Sequence, residues 1–70
     1  MGNTSIGQTI KLRRKELKIN QKTLADIAQI SINTLYKIER GEANPSIDIL
    51  DKIANVLGLE VLLLPKNKIK

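Results

Sequence analysis

Asn20 and Ser31 both carry side-chain oxygens suited to opening a helix, and they lie so close together that a helix begun at the first must end before the second. The run Gln21-Lys22-Thr23-Leu24-Ala25-Asp26-Ile27-Ala28 places Leu24, Ala25 and Ala28 on one face, enough for about two turns. After Ser31 the chain runs from Ile32 to Arg40 with Leu35 and Ile38 turned inward, and Gly41 supplies the stop. Two short helices around a turn of about three residues are therefore expected.

The flanks read as helices too. Ile6, Ile10 and Leu17, with the alkyl stem of Arg13 or Arg14 between them, share one face of a helix running roughly from Ser5 to Lys18. Pro45 and Ser46 open a fourth helix with Asp48 in its first turn, and Ile47, Leu50, Ile53, Ala54 and Leu57 line one side until Gly58. Leu59-Glu60-Val61-Leu62-Leu63-Leu64, enclosed by Gly58 and Pro65, is too short for a helix and reads as a β-strand. The organisation expected is a compact all-α four-helix domain over residues 1–58, a strand over 59–65 and a basic tail over 66–70.

Composition narrows the class. Apolar residues make up 41% of the 70, yet Tyr36 is the single aromatic, so the core must be aliphatic and closely packed, which favours helix on helix. A chain this short buries only about 60% of its unfolded surface, and a second copy is one way to add stability. With no Cys and no His, disulfides, the usual metal ligands and the commonest general base are all missing. Asp48 and Asp51 form the nearest carboxylate pair, and helix capping explains Asp48 without catalysis, so no enzyme, metal or cofactor is expected. No run reaches the roughly 18 apolar residues of a membrane span, nor does the start resemble a signal peptide, so a cytoplasmic protein is expected. The net charge of +5 suits a nucleic-acid partner, although solvated lysines would give the same sum. Lys11, Arg13, Arg14, Lys15 and Lys18 crowd one early segment, and Lys11, Lys15, Lys18 and Lys22 form either a solvated face or a set of phosphate neighbours.

The paired short helices meet the requirements of a helix-turn-helix unit, whose second helix enters the major groove of DNA. Ala25 is the small residue at the crossing, Leu24, Ile30, Leu35 and Ile38 form the back, and Ser31, Asn33, Thr34 and Lys37 face outward. Leu24-Ala25, Leu35, Tyr36-Lys37-Ile38-Glu39-Arg40-Gly41 and Asn44-Pro45-Ser46 closely resemble the Xre/Cro, or lambda repressor-like, family of phage and bacterial repressors. The resemblance implies base contacts from Ile32, Asn33 and Lys37 and phosphate contacts from Gln21, Thr34 and Arg40. It also implies a buried ion pair between Arg14 and Glu39. The chemistry agrees, since Asn can bond adenine, Lys guanine, and Ile a thymine methyl, with partial burial the alternative for Ile32. Tyr36 is placed either with its hydroxyl toward a phosphate or packed on the fourth helix. Gln29 departs from the pattern by standing where the family carries Gly, so a positive φ there would cost about 1 kcal/mol.

Gly58 to Lys66 is similar to the terminal strand of HipB-type antitoxins. Two copies could pair antiparallel, with Leu59, Val61 and Leu63 on one face and Leu62 and Leu64 on the other, or the segment could fold onto its own subunit. The resemblance implies a homodimeric repressor of double-stranded DNA at an inverted-repeat operator, with a kinase-like toxin as a further partner of the HipB type. The rival reading keeps the fold as a protein-interaction module that turns its basic face to an acidic or toxin partner.

Overall fold

Every helix starts on a side chain that accepts a backbone N–H. In the computed structural model, which describes residues 5–63, α1 (Ile6–Glu16) opens on Ser5, whose Oγ accepts from the Gln8 N–H at 3.1 Å. Asn20 Oδ1 accepts from Thr23 at 2.8 Å to open α2 (Gln21–Ala28). Ser31 Oγ accepts from Thr34 at 3.0 Å to open α3 (Ile32–Glu39), and Ser46 Oγ from Ile49 at 3.2 Å to open α4 (Ile47–Leu57). Each cap satisfies one of the orphan donors of a first turn, a gain of about 1 kcal/mol. Pro45 stands just ahead of the Ser46 cap, not inside the helix as its sequence position implies.

The exits are as regular as the entries. Lys18, Gln29, Gly41 and Gly58 hold φ values of 60°, 61°, 78° and 70°. The residue after each one donates back to the carbonyl five positions earlier: Ile19 to Arg14, Ile30 to Ala25, Glu42 to Lys37 and Leu59 to Ala54. This is the Schellman closure, which needs one left-handed residue per helix end. Gly meets that need freely at two ends. At the other two Lys18 and Gln29 accept the steric cost of a Cβ in the left-handed region.

Ile10, Leu24, Ala25, Ala28, Leu35, Ile38, Ile53 and Leu57 form the core, with α2 packed on α3 and α4, and α1 on the same two helices. Its aliphatic make-up follows from the composition, and no aromatic ring enters it. Two contacts of α1 fix its angle. A Cβ on Gly7 would overlap the carbonyl oxygen of Ile38 and lie 2.9 Å from that of Glu39, so α1 meets the end of α3 backbone to backbone. Arg13 Nε donates to the Leu57 carbonyl at 2.9 Å, tying α1 to the end of α4.

Three apolar positions expected on inward faces are exposed: Ile6 (54%), Leu17 (41%) and Ile47 (58%). Each sits in the first turn of its helix or just past the last, where the neighbouring helices no longer overlap it. The strand expected over residues 59–65 is not formed among the described residues. Residues 59–63 carry no strand pairing among the described residues, because a strand exists only beside a partner ladder. Leu59 and Val61 are half-buried, Leu59 packing on the core, while Leu62 and Leu63 are exposed. Leu64, Pro65 and the basic tail of residues 66–70 lie outside the described residues. No helix among the described residues is long and apolar enough to cross a membrane.

Candidate nucleic-acid interface

α3 presents two chemically distinct sides. Leu35, Ile38 and Glu39 are buried, whereas Ile32, Asn33, Tyr36 and Lys37 are exposed. The polar side is therefore carried on a fixed apolar support. Leu24, Ala25 and Ala28 of α2, buried behind it, supply that support, and Ala25 at 1% exposure is the small residue of the crossing. Gln29, standing where the resembled pattern has glycine, is left-handed at φ 61° and ψ 42°, a conformation glycine adopts without steric cost.

Arg14 and Glu39 form the ion pair that the family resemblance implies. Arg14 Nε donates to Glu39 Oε2 at 2.8 Å and Nη2 to Oε1 at 2.9 Å, while Nη1 donates to the Ile19 carbonyl at 3.0 Å. The fork thus joins α1, the α1–α2 loop and the last residue of α3. Gln21 adds a third leg, its Nε2 donating to Glu39 Oε1 at 3.1 Å. Burial alone would raise the Glu39 pKa, but hydrogen bonds from Arg14 and Gln21, with the charges of Arg14 and Lys11, outweigh it and hold the carboxyl below its ordinary range. The Arg14 pKa moves up in turn, through its hydrogen bond to Glu39. Among the described residues no buried side-chain nitrogen or oxygen lacks a partner, so this charged pair sits in a satisfied network.

The remaining residues marked by the sequence gather around the same helix. Thr34 is half-buried, its Oγ1 accepting a hydrogen bond from Ser31 Oγ at 2.8 Å. Tyr36 stands in solvent at 45% exposure, and its hydroxyl accepts from Arg40 Nη1 at 3.1 Å. The Arg40 guanidinium lies over the Tyr36 ring, 5.3 Å from its centroid. Glu42, not singled out from the sequence, accepts from Arg40 Nε at 2.9 Å, and its hydrogen bond and charge raise the Arg40 pKa. Gln21 sits at the first residue of α2, half-buried, close enough to Glu39 to join α2 to α3. Lys11, Lys15, Lys18 and Lys22 are exposed, Lys22 pairing with Asp26 at 3.2 Å. Gly7, and the tie that Arg13 makes to the end of α4, also escaped sequence reading. A lone glycine in a first turn and an arginine beside another arginine carry no spacing signal that separates them from their neighbours.

With this geometry established, comparison with known proteins is specific. The helix-turn-helix family profile matches residues 10–64. The chain is 44% identical over 57 residues to an immunity repressor protein of Bacillus phage phi105, covering 81% of this chain and 40% of that protein. An HTH-type transcriptional regulator of Deinococcus deserti is 40% identical over 48 residues, covering 69% of this chain and 37% of its own length. The chain thus spans less than half of each of these two relatives. Among solved structures, the N-terminal DNA-binding domain of SinR from Bacillus subtilis superposes with a TM-score of 0.76 at 41% identity, covering 79% of this chain and 81% of that one. The P22 c2 repressor in complex with a synthetic operator gives 0.78 at 29% identity, covering 83% and 88%. The family is one of DNA-binding regulators, not of enzymes. Agreement of profile, sequence and superposition over the same helices places this chain in the Xre/lambda repressor-like helix-turn-helix family.

Proposed function

We propose that the chain is a sequence-specific DNA-binding transcriptional repressor that acts as a homodimer, with α3 entering the major groove. The observation that carries this reading is the exposure of Ile32, Asn33 and Lys37 on the outer side of α3 while Leu35 and Ile38 anchor the inner side. In this reading those three residues meet base edges, and Gln21, Thr34, Tyr36 and Arg40 meet phosphates. Gln21 keeps a second N–H on the amide that Glu39 orients, and Arg40 Nη2 makes no hydrogen bond among the described residues, so each has a donor to offer. Occupying a promoter excludes polymerase, and no chemistry beyond binding is needed.

Support for the dimer comes from the segment after α4. Leu62 and Leu63 are 64% and 93% exposed at the end of a run whose backbone has no ladder partner among the described residues, and pairing with a second copy would cover both deficits. A twofold dimer sets two copies of α3 against successive major grooves and selects an inverted-repeat operator. The antitoxin role, with a kinase-like toxin as partner, rests on the Gly58–Pro65 pattern alone, and the geometry adds nothing to it.

Gel shift of the purified protein on its own upstream region, at two salt concentrations, is the direct test. A shift that survives excess random duplex and weakens steeply with salt is the expected result. Equal affinity for random duplex would favour the protein-interaction reading instead.

A further inference from the structure

Arg40 is a candidate phosphate contact at the end of α3, yet in the free chain its guanidinium is already engaged on two sides. Nε donates to Glu42 Oε2 at 2.9 Å, Nη1 to the Tyr36 hydroxyl at 3.1 Å, and the plane rests over the Tyr36 ring. A guanidinium has five N–H donors, and it grips a phosphate best with two of them along one edge. Glu42 Oε2 takes the Nε end of the edge formed by Nε and Nη2. That oxygen occupies a place that a phosphate oxygen would take.

Glu42 is held there by the backbone. Gly41, at φ 78°, donates to the Ile38 carbonyl at 3.1 Å, and Glu42 donates to that of Lys37 at 2.8 Å. The residue is thus the last member of the closing turn of α3. A carboxylate at this end of a helix faces the negative pole of the helix dipole, a placement opposed to the usual preference. Its compensation is Arg40. Both side chains remain open to solvent, at 54% and 49% exposure, so a duplex laid along α3 reaches them without rearranging the core.

We infer that Glu42 is an internal competitor for phosphate at Arg40. This rests on the proposed DNA-contacting role of α3. When a phosphate takes the Nε–Nη2 edge, the carboxylate swings away, and the affinity gained is smaller by the pair that is broken and by the repulsion between carboxylate and phosphate. The residue thereby trims the part of duplex binding that carries no sequence information.

The test compares the full chain with its Glu42→Gln, Arg40→Ala and Arg40→Ala/Glu42→Gln variants, binding a short random-sequence duplex and the upstream region at low and moderate salt. Glu42→Gln is expected to tighten random-duplex binding roughly two- to fivefold at low salt, the range set by the worth of an exposed ion pair, with a smaller gain at moderate salt. The gain should vanish in the Arg40→Ala background. Unchanged or weakened binding by Glu42→Gln would overturn the inference, as would a gain that persists undiminished without Arg40, which would make Glu42 a general surface charge. Wild-type chain that binds no duplex even at low salt would remove the DNA-binding reading itself, and this inference with it. Circular dichroism melts of the four proteins separate altered binding from altered folding.

Discussion

Asn33 is exposed in the first turn of α3 and has no hydrogen-bond partner among the described residues, so the fold does not depend on its amide. Asn33→Ala is accordingly expected to weaken binding to the specific site by about 1–3 kcal/mol and leave the melting curve in place. An equal loss on specific and random DNA, measured by competition gel shift, would remove its base-reading role. Glu39 is the opposite case, buried and charged. Its folded pKa lies below the ordinary 4.5, so its contribution to stability is complete above that value and is lost as pH falls through the folded pKa. Glu39→Gln should cost about 3–5 kcal/mol at neutral pH by leaving the Arg14 charge buried without its counter-charge, and urea melts should show that deficit shrinking below about pH 4.5. The Arg14–Glu39 pair was legible because the family pattern carries both residues. The third leg from Gln21 was not, since nothing in the spacing of residues 21 and 39 shows that one amide reaches the other's carboxylate. Gln29 was legible in a different way, as a residue out of place, and its φ of 61° bears out the concern. Gln29→Gly should therefore stabilise the chain by about 1 kcal/mol in the same urea melts, with DNA affinity unchanged.

Among the helices, the entries were the most readable feature of the sequence. Asn20, Ser31 and Ser46 announce α2, α3 and α4 because a cap is a local interaction, settled within three residues. The exits were half-readable: Gly41 and Gly58 stand out, while Lys18 adopts the same backbone with no compositional signal. The inward faces of α2 and α3 were legible from periodicity, and the ends of α1 and α4 were not, because whether Ile6, Leu17 or Ile47 is covered depends on where another helix stops. The strand expected over 59–65 is not seen among the described residues for a related reason. Strand pairing is a property of two segments, and periodicity describes one. Gly7 shows the same limit in its strongest form, since the contact it allows is with the backbone of α3. Gly7→Ala should push α1 off the end of α3, lowering stability by about 1–3 kcal/mol in thermal melts and changing the aim of α3.

For the molecule as a whole, an aliphatic core and a net charge of +5 divide the tasks of cohesion and recognition between separate sets of residues. After Gly58, Leu59 packs on that core while Leu62 and Leu63 remain exposed, so the segment offers apolar side chains to a second copy. Deleting residues 59–70 is expected to lower dimer content and melting temperature together, with sedimentation reporting the first and circular dichroism the second. A truncated protein that stays dimeric would remove strand pairing from the account while leaving the DNA-contacting face intact.

Because the one aromatic ring, Tyr36, lies outside the core on the exposed side of α3, the chain carries a natural probe of that surface. Its ring protons give a single, uncrowded set of magnetic resonance signals, insensitive to rearrangements deep in the protein and responsive to whatever comes to rest beside Arg40. Titrating duplex against that one spin system would follow occupancy of the surface without a label or a substitution.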